Sequence, residues 1–183
     1  LPLPRACPCP GLAPAQGLPL PPSISFQGGA VGIRRLARTV ALQALYEIDC
    51  THHPPERVIQ YRLEETPLPK SAVKYVRHLV YGVLRHRALL DFYIQQKAPE
   101  WPLEQVAIVD RNILRMALYE FAVDGRVPVK VAISEAIELG KTFGSDSTPR
   151  FVNGVLGALI PMRSEIARRI QGNLPPPNRP KRR

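Results

Sequence analysis

Cysteine is scarce in this sequence. Cys7, Cys9 and Cys50 are an odd number, and two of them fall in a proline-rich leader, so no disulfide framework can be read and a reduced, cytoplasmic setting is expected. No apolar run approaches the roughly 18 residues that a membrane span requires. The apolar N-terminus is broken by Pro2, Pro4, Pro8, Pro10 and Pro14 and has no basic region leading into a continuous hydrophobic one, which is not the pattern of a signal peptide. Motifs that carry chemistry are missing too. There is no Gly-rich phosphate loop, no GxSxG elbow and no Cys/His pairing at a usable spacing. Cys50, His52 and His53 come nearest to a metal cluster, but their spacing matches no zinc pattern and no second pair exists. Neither a catalytic role nor a metal or other cofactor is therefore expected. Period-two alternation is also lacking, which directs the fold to all-α.

What the chain has in quantity is proline and positive charge. Its 183 residues suffice for one domain or for two small bundles sharing a core. Residues 1–31 hold eight prolines and no periodic pattern and read as an unstructured leader. The chain opens on Leu1 rather than Met, which leaves a true start near Val31 as one expectation, to be settled by an N-terminal mass. The net charge is +10, but residues 161–183 carry +6 and the leader +1, leaving only +3 for residues 32–160. Most of the basic excess thus sits in a flexible tail, where it helps any chain meet nucleic acid and specifies nothing.

Between leader and tail the apolar spacing is helical. A first helix over about Gly32–Cys50 has Ile33, Leu36, Ala37, Val40, Ala44 and Ile48 as its stripe. Arg34, Arg35 and Arg38 crowd its first turns, where cations oppose the helix dipole. Either a bound anion or a solvated basic face accounts for them. By 100° steps, Gln43 and Tyr46 fall on the same outward side as Arg35 and Thr39. A short helix over 56–65 follows, then a long one from Ser71 to about Gln96, a hinge at Ala98–Pro102 and a helix over 103–123. On that fourth helix Asp110, Arg111 and Asn112 are expected to face outward or pair locally.

Residues 128–159 carry the strongest pattern. Pro128 sits where a helix can start, and Val129, Ala132, Ile133, Ala136 and Ile137 form a stripe that leaves Glu135 and Glu138 outside as surface residues. Gly144 is expected to close this helix in the left-handed conformation. Thr148 or Ser147 is expected to cap the next helix, with Pro149 in its first turn. Gly154 and Gly157 in that helix suggest a close neighbour. The loop gathers Lys141, Phe143, Arg150, Phe151 and Asn153 at a helix N-terminus. Such a terminus suits anions, and rings beside cations suit unstacked bases. The plainer alternative is two core rings and two solvated cations. Pro161 ends the last helix, and a short basic helical segment precedes the tail.

An internal echo divides the chain. Ala44-Leu45-Tyr46-Glu47 recurs as Ala117-Leu118-Tyr119-Glu120, with Pro55 meeting Pro128 at the same offset. This favours a helical bundle of two similar three-helix subdomains, about 32–97 and 101–160, within a domain spanning 32–160.

VDRNILRMALYEF (109–121) and PVKVAISEAIELGKTFGSDSTPRFVNGVL (128–156) closely resemble the NusB family of bacterial transcription antitermination factors, and RRLARTVALQALYEID (34–49) looks like that family's first helix. The resemblance covers about residues 33–160. It implies an all-α fold of two three-helix subdomains and binding of the boxA segment of ribosomal RNA leader transcripts as single-stranded RNA. It further implies ribosomal protein S10 as a partner and an antitermination complex on RNA polymerase. Carried over, Arg34, Arg35 and Arg38 with Gln43 and Tyr46 resemble one part of the RNA face. Lys141, Phe143, Arg150 and Phe151 with Asn153 resemble the other. Asp110 matches an acidic position at the S10 interface, and Ser147 lies where RNA and S10 surfaces meet, although some members have an acidic residue there. The Pro-rich leader has no counterpart in the family. The resemblance also implies an alternative, a module related to the N-terminal domain of ribosomal RNA cytosine methyltransferases, and a third reading is a helical adaptor that binds only protein.

Overall fold

The computed structural model describes residues 30–172, with side chains from Gly32. The readings of the Pro-rich leader, of a start near Val31 and of the basic tail from Pro175 lie outside what it describes. The described chain runs α1 (Ala30–Thr51), α2 (Pro55–Glu65), α3 (Lys70–Lys97), α4 (Ile108–Leu118), α5 (Val129–Phe143), α6 (Thr148–Leu159) and α7 (Arg163–Gln171). A wide π turn, Tyr119–Asp124, prolongs α4, and a 3₁₀ turn, Ile160–Met162, joins α6 to α7. No strand occurs among the described residues, and the fold is all-α.

The first helix is the axis of the molecule. It packs on α2, α3 and α4 at once, and every residue from Leu36 to Leu45 is buried. A helix enclosed on all sides has no outward face to spare. The 100° reading of Thr39 and Gln43 as an outward side is therefore corrected, since both are buried. Ala37, Ala41 and Ala44 keep the axis thin enough for three neighbours to close on it. α4 packs on α5 and α6 and also meets α1 and α3. One continuous apolar cluster runs from Ala37 to Ile166. At its edge the Tyr119 ring lies across α3 at Gly82, where a Cβ would come within 2.0 Å of the ring.

Two boundaries differ from the sequence expectation. The fourth helix begins at Ile108 rather than 103. The Gln95 side chain accounts for this: its amide donates to the carbonyls of Ala98 and Trp101 at 2.9 and 3.1 Å and accepts the Leu103 N–H at 2.8 Å. The hinge's backbone groups are satisfied there, so they need no helix. Gly144 is extended rather than left-handed, at φ −93° and ψ −171°. Nothing approaches Gly154 or Gly157 within 4 Å of an added Cβ. The close neighbour expected there is absent among the described residues, and both glycines lie on an exposed face.

Candidate nucleic-acid interface

The first group of candidate residues lies at the start of α1. Arg34 and Arg35 are exposed, while Arg38, one turn on, is not: its side chain is 4% exposed. Its guanidinium donates from Nε and Nη2 to both oxygens of Glu120 at 2.9–3.1 Å. The Tyr75 hydroxyl donates to the same carboxylate. Nη1 of Arg38 lies 3.6 Å from Glu135, which accepts two further bonds from Arg35 at 2.9 and 3.2 Å. One buried network thus joins α1, α3, the π turn and α5. Burial opposes the Arg38 charge, but the bond and charge of Glu120 outweigh it and hold the guanidinium above its ordinary pKa. Burial first, then Glu120, also pushes the Tyr75 phenol well above the usual range.

Three expectations change with this network. Arg38 is an internal strut rather than part of an open basic face. Gln43 is buried, and Tyr46 is half-buried against the core one turn further along α1. Glu135, read as a surface residue, is a buried ion-pair partner. Sequence spacing could not reveal this, because the carboxylates arrive from 82 and 100 residues away.

The second group is at the α5–α6 corner. Lys141, Arg150 and Asn153 are exposed, and Phe143 and Phe151 are half-buried with one side on the core. Lys141 reaches back to Glu138 at 2.8 Å. Glu138 also supports the charge on Arg35, after the larger contributions from Glu135. The two groups therefore lie along one edge of α5, with Glu135 and Glu138 between their cations.

The corner is held by Thr148, which is fully buried. Its hydroxyl accepts the Ser145 N–H at 2.9 Å and donates to Asp110 Oδ1 at 2.9 Å. No side chain caps α6, so the cap expected from Thr148 or Ser147 is replaced by a tie to α4. Gly144 is required because a Cβ there would sit 2.4 Å from the Thr148 hydroxyl. Asp110 is half-buried; desolvation raises its pKa, and the Thr148 bond acts in the opposite direction. Asp110 and Ser147, the two candidate S10 positions, are thereby brought to one corner with Thr148 between them. Thr148 was legible only as a helix-start residue. The Gly-x₃-Thr spacing from Gly144 is the one hint of a tighter role.

A second ion network lies elsewhere. Asp49, with its side chain 3% exposed, takes Arg115 at 2.9 Å, Arg87 at 3.1 Å and Arg111 at 3.3 Å, and the Asn112 amide donates to it at 3.2 Å. Arg111 and Asn112 thus face inward, across to α1. His53 leans toward Glu47 at 3.9 Å. Among the described residues no group of three or more His, Cys, Asp or Glu could hold a metal ion. No described helix is long and apolar enough to cross a membrane.

The model of the NusB family matches residues 35–161. The transcription antitermination protein NusB of Roseiflexus castenholzii is 47% identical over 130 residues, covering 70% of this chain and 92% of that protein. That of Dehalococcoides mccartyi (strain ATCC BAA-2266) is 43% identical over 135 residues, covering 74% and 94%. Among solved structures, T. maritima NusB superposes with a TM-score of 0.64 at 31% identity, covering 74% of this chain and 90% of that one. A crystal structure of antitermination factors NusB and NusE in complex with double-stranded RNA gives 0.64 at 26% identity, covering 74% and 96%.

Proposed function

The chain belongs to the NusB family, and from that membership we propose that it acts as a transcription antitermination factor. In this reading it holds boxA-type single-stranded RNA of ribosomal RNA leader transcripts together with ribosomal protein S10, as part of the antitermination complex on RNA polymerase. The relatives are named as transcription antitermination proteins, which supports the role, and a structural neighbour solved with NusE, which is S10, and double-stranded RNA supports the pairing of RNA with that partner. The observation that carries the reading to residues is the α5–α6 corner. There exposed Arg150 and Asn153 flank the half-buried Phe151 ring on a helix start fixed by Thr148.

The division of labour follows from exposure. Arg34, Arg35, Lys141 and Arg150 stand where they can meet phosphates, which position a strand without reading its sequence. Phe151 and Phe143 each have one side on the core, and Phe151 can offer the other to a base. Stacking of this kind is worth roughly 1–3 kcal/mol per base. Tyr46 can serve the same end further along α1. Arg38, being buried, acts by holding α1 against the π turn and α5, and Gln43 is buried beside it on α1. S10 docks at the Asp110–Ser147 corner and extends the strand's contacts, so that each partner tightens the other.

The test is binding of a labelled boxA-like single-stranded RNA across a salt series, with and without S10. A scrambled RNA and the Arg150→Ala/Phe151→Ala variant serve as controls. The expected result is sequence-selective binding that S10 strengthens and that the variant weakens by roughly ten- to a hundredfold. Equal affinity for the scrambled RNA would reduce the protein to a non-specific cation. Salt-insensitive capture of S10 without RNA would make it a protein adaptor.

A further inference from the structure

A cleft of about 530 Å3 opens beside the start of α1, lined by Ile33, Arg34, Ser71, Lys74, Tyr75 and Arg126, with Ala72 and His78 completing it. Three elements contribute: the first turns of α1, the first turns of α3 and the connection from α4 to α5. The lining holds three permanent cations and a histidine, and no carboxylate. The nearby acids are already engaged. Glu120 lies beneath Tyr75 and is bound to Arg38. Asp124, with its side chain 7% exposed, holds His78 Nε2 at 2.9 Å and Arg126 Nε at 3.0 Å. Arg35 is turned away onto Glu135.

Of the lining cations, Arg34 and Lys74 have no acidic partner among the described residues. Arg34 touches only the Tyr75 ring, 5.6 Å from its centre, and Lys74 has no ion-pair partner among the described residues. Arg126 is 75% exposed despite its bond to Asp124. α3 begins without a side-chain cap, and its Ala72 and Val73 amides turn back to the Pro69 carbonyl. Ser71 and Ala72, in the first turn of this 28-residue helix, line the cleft, so the positive end of the helix dipole lies beside it. Cations left unpaired in a concave, carboxylate-free setting focus a positive field that favours an oxyanion.

We propose that this cleft is a phosphate-binding pocket that takes one phosphodiester group of the bound RNA, where the strand runs past Arg34 and off the α5 edge. The proposal rests on the RNA-binding reading and extends it to Ser71, Lys74 and Arg126, which the sequence patterns did not single out. Lys74 from α3 and Arg126 from the α4–α5 connection hold the phosphate, and Arg34 bridges the pocket to the α1 face.

The test uses the full chain and the Lys74→Gln/Arg126→Gln variant, both side chains being exposed, with folding checked by circular dichroism. Binding of boxA-like RNA is followed across a KCl series. The expected result is a salt slope shallower by about 0.7 per phosphate lost, with affinity reduced by the same factor for boxA and for a base-substituted boxA. Reversal by Lys74→Arg with Arg126 intact supports the same conclusion. A variant indistinguishable from wild type overturns the pocket and leaves RNA binding standing. An equal loss in an Arg57→Gln/Lys97→Gln control, which removes the same charge away from the cleft, overturns it as bulk electrostatics. Absence of RNA binding by the wild type overturns pocket and function together.

Discussion

The two basic regions of this molecule use the same residue types for opposite ends. At the start of α1, Arg35 and Arg38 are bound by Glu135 and Glu120, and the deeper of the two is removed from solvent. At the α5–α6 corner Arg150 is exposed and Lys141 meets only an exposed glutamate. An arginine's position in a helix does not decide whether it binds a ligand or the protein itself. A carboxylate delivered by a distant segment decides it, by satisfying the guanidinium's fork where water cannot compete.

The largest effect is expected from Arg38→Ala. Glu120 would then be a buried carboxylate that has lost its guanidinium and keeps the Tyr75 hydroxyl, and removing one partner of such a pair costs about 3–5 kcal/mol. Urea unfolding should show that loss. Arg150→Ala, on the open surface, should stay within about 0.5 kcal/mol of wild type. Equal stability of the two variants would erase the distinction between strut and contact.

A smaller effect is expected from Thr148→Val, which keeps the shape and removes the hydroxyl. The Ser145 N–H and Asp110 would each lose a partner, a cost of about 1–3 kcal/mol readable as a lower Tm. Because the hydroxyl holds the loop ahead of Arg150 and Phe151, RNA affinity should fall as well. A stability loss with unchanged affinity would show that the corner needs no such pin.

These contrasts mark what the sequence could and could not disclose. Helical periodicity located α1, α3, α5 and α6, because apolar spacing records which side of a helix meets a core. It misread Thr39 and Gln43, because a helix enclosed by three others buries polar residues that periodicity assigns to water. It placed the fourth helix too early, because the Gln95 amide that satisfies the hinge acts through tertiary contacts. Of the candidate interface, Arg34, Lys141, Arg150 and Asn153 were legible as exposed groups near helix ends. The role of Arg38 was not, since its partners Glu120 and Glu135 lie on other helices. Lys74 and Arg126 look like ordinary surface cations until the cleft joins them.

Asp110 is the acidic counterpart of these buried and open cations. It is half-buried where Glu120 is fully buried, and it is met by the Thr148 hydroxyl rather than by a guanidinium. Burial therefore leaves its pKa raised, with the Thr148 bond pulling the other way. A carboxyl whose folded pKa exceeds its unfolded value contributes stability below the unfolded pKa, near about 3.9 for Asp. That contribution is lost as pH rises through the folded value. At neutral pH the charge on Asp110 thus works against the fold. Asp110→Asn keeps an oxygen to accept the Thr148 hydroxyl and removes the charge. The expected outcome is a small rise in Tm at pH 7 that disappears near pH 3, where the wild-type carboxyl is itself neutral. A lower Tm at pH 7 would mean that the charged acceptor strengthens the Thr148 bond by more than burial costs. In that case Asp110 would be a strut like Glu120, rather than a carboxylate held in reserve for a partner.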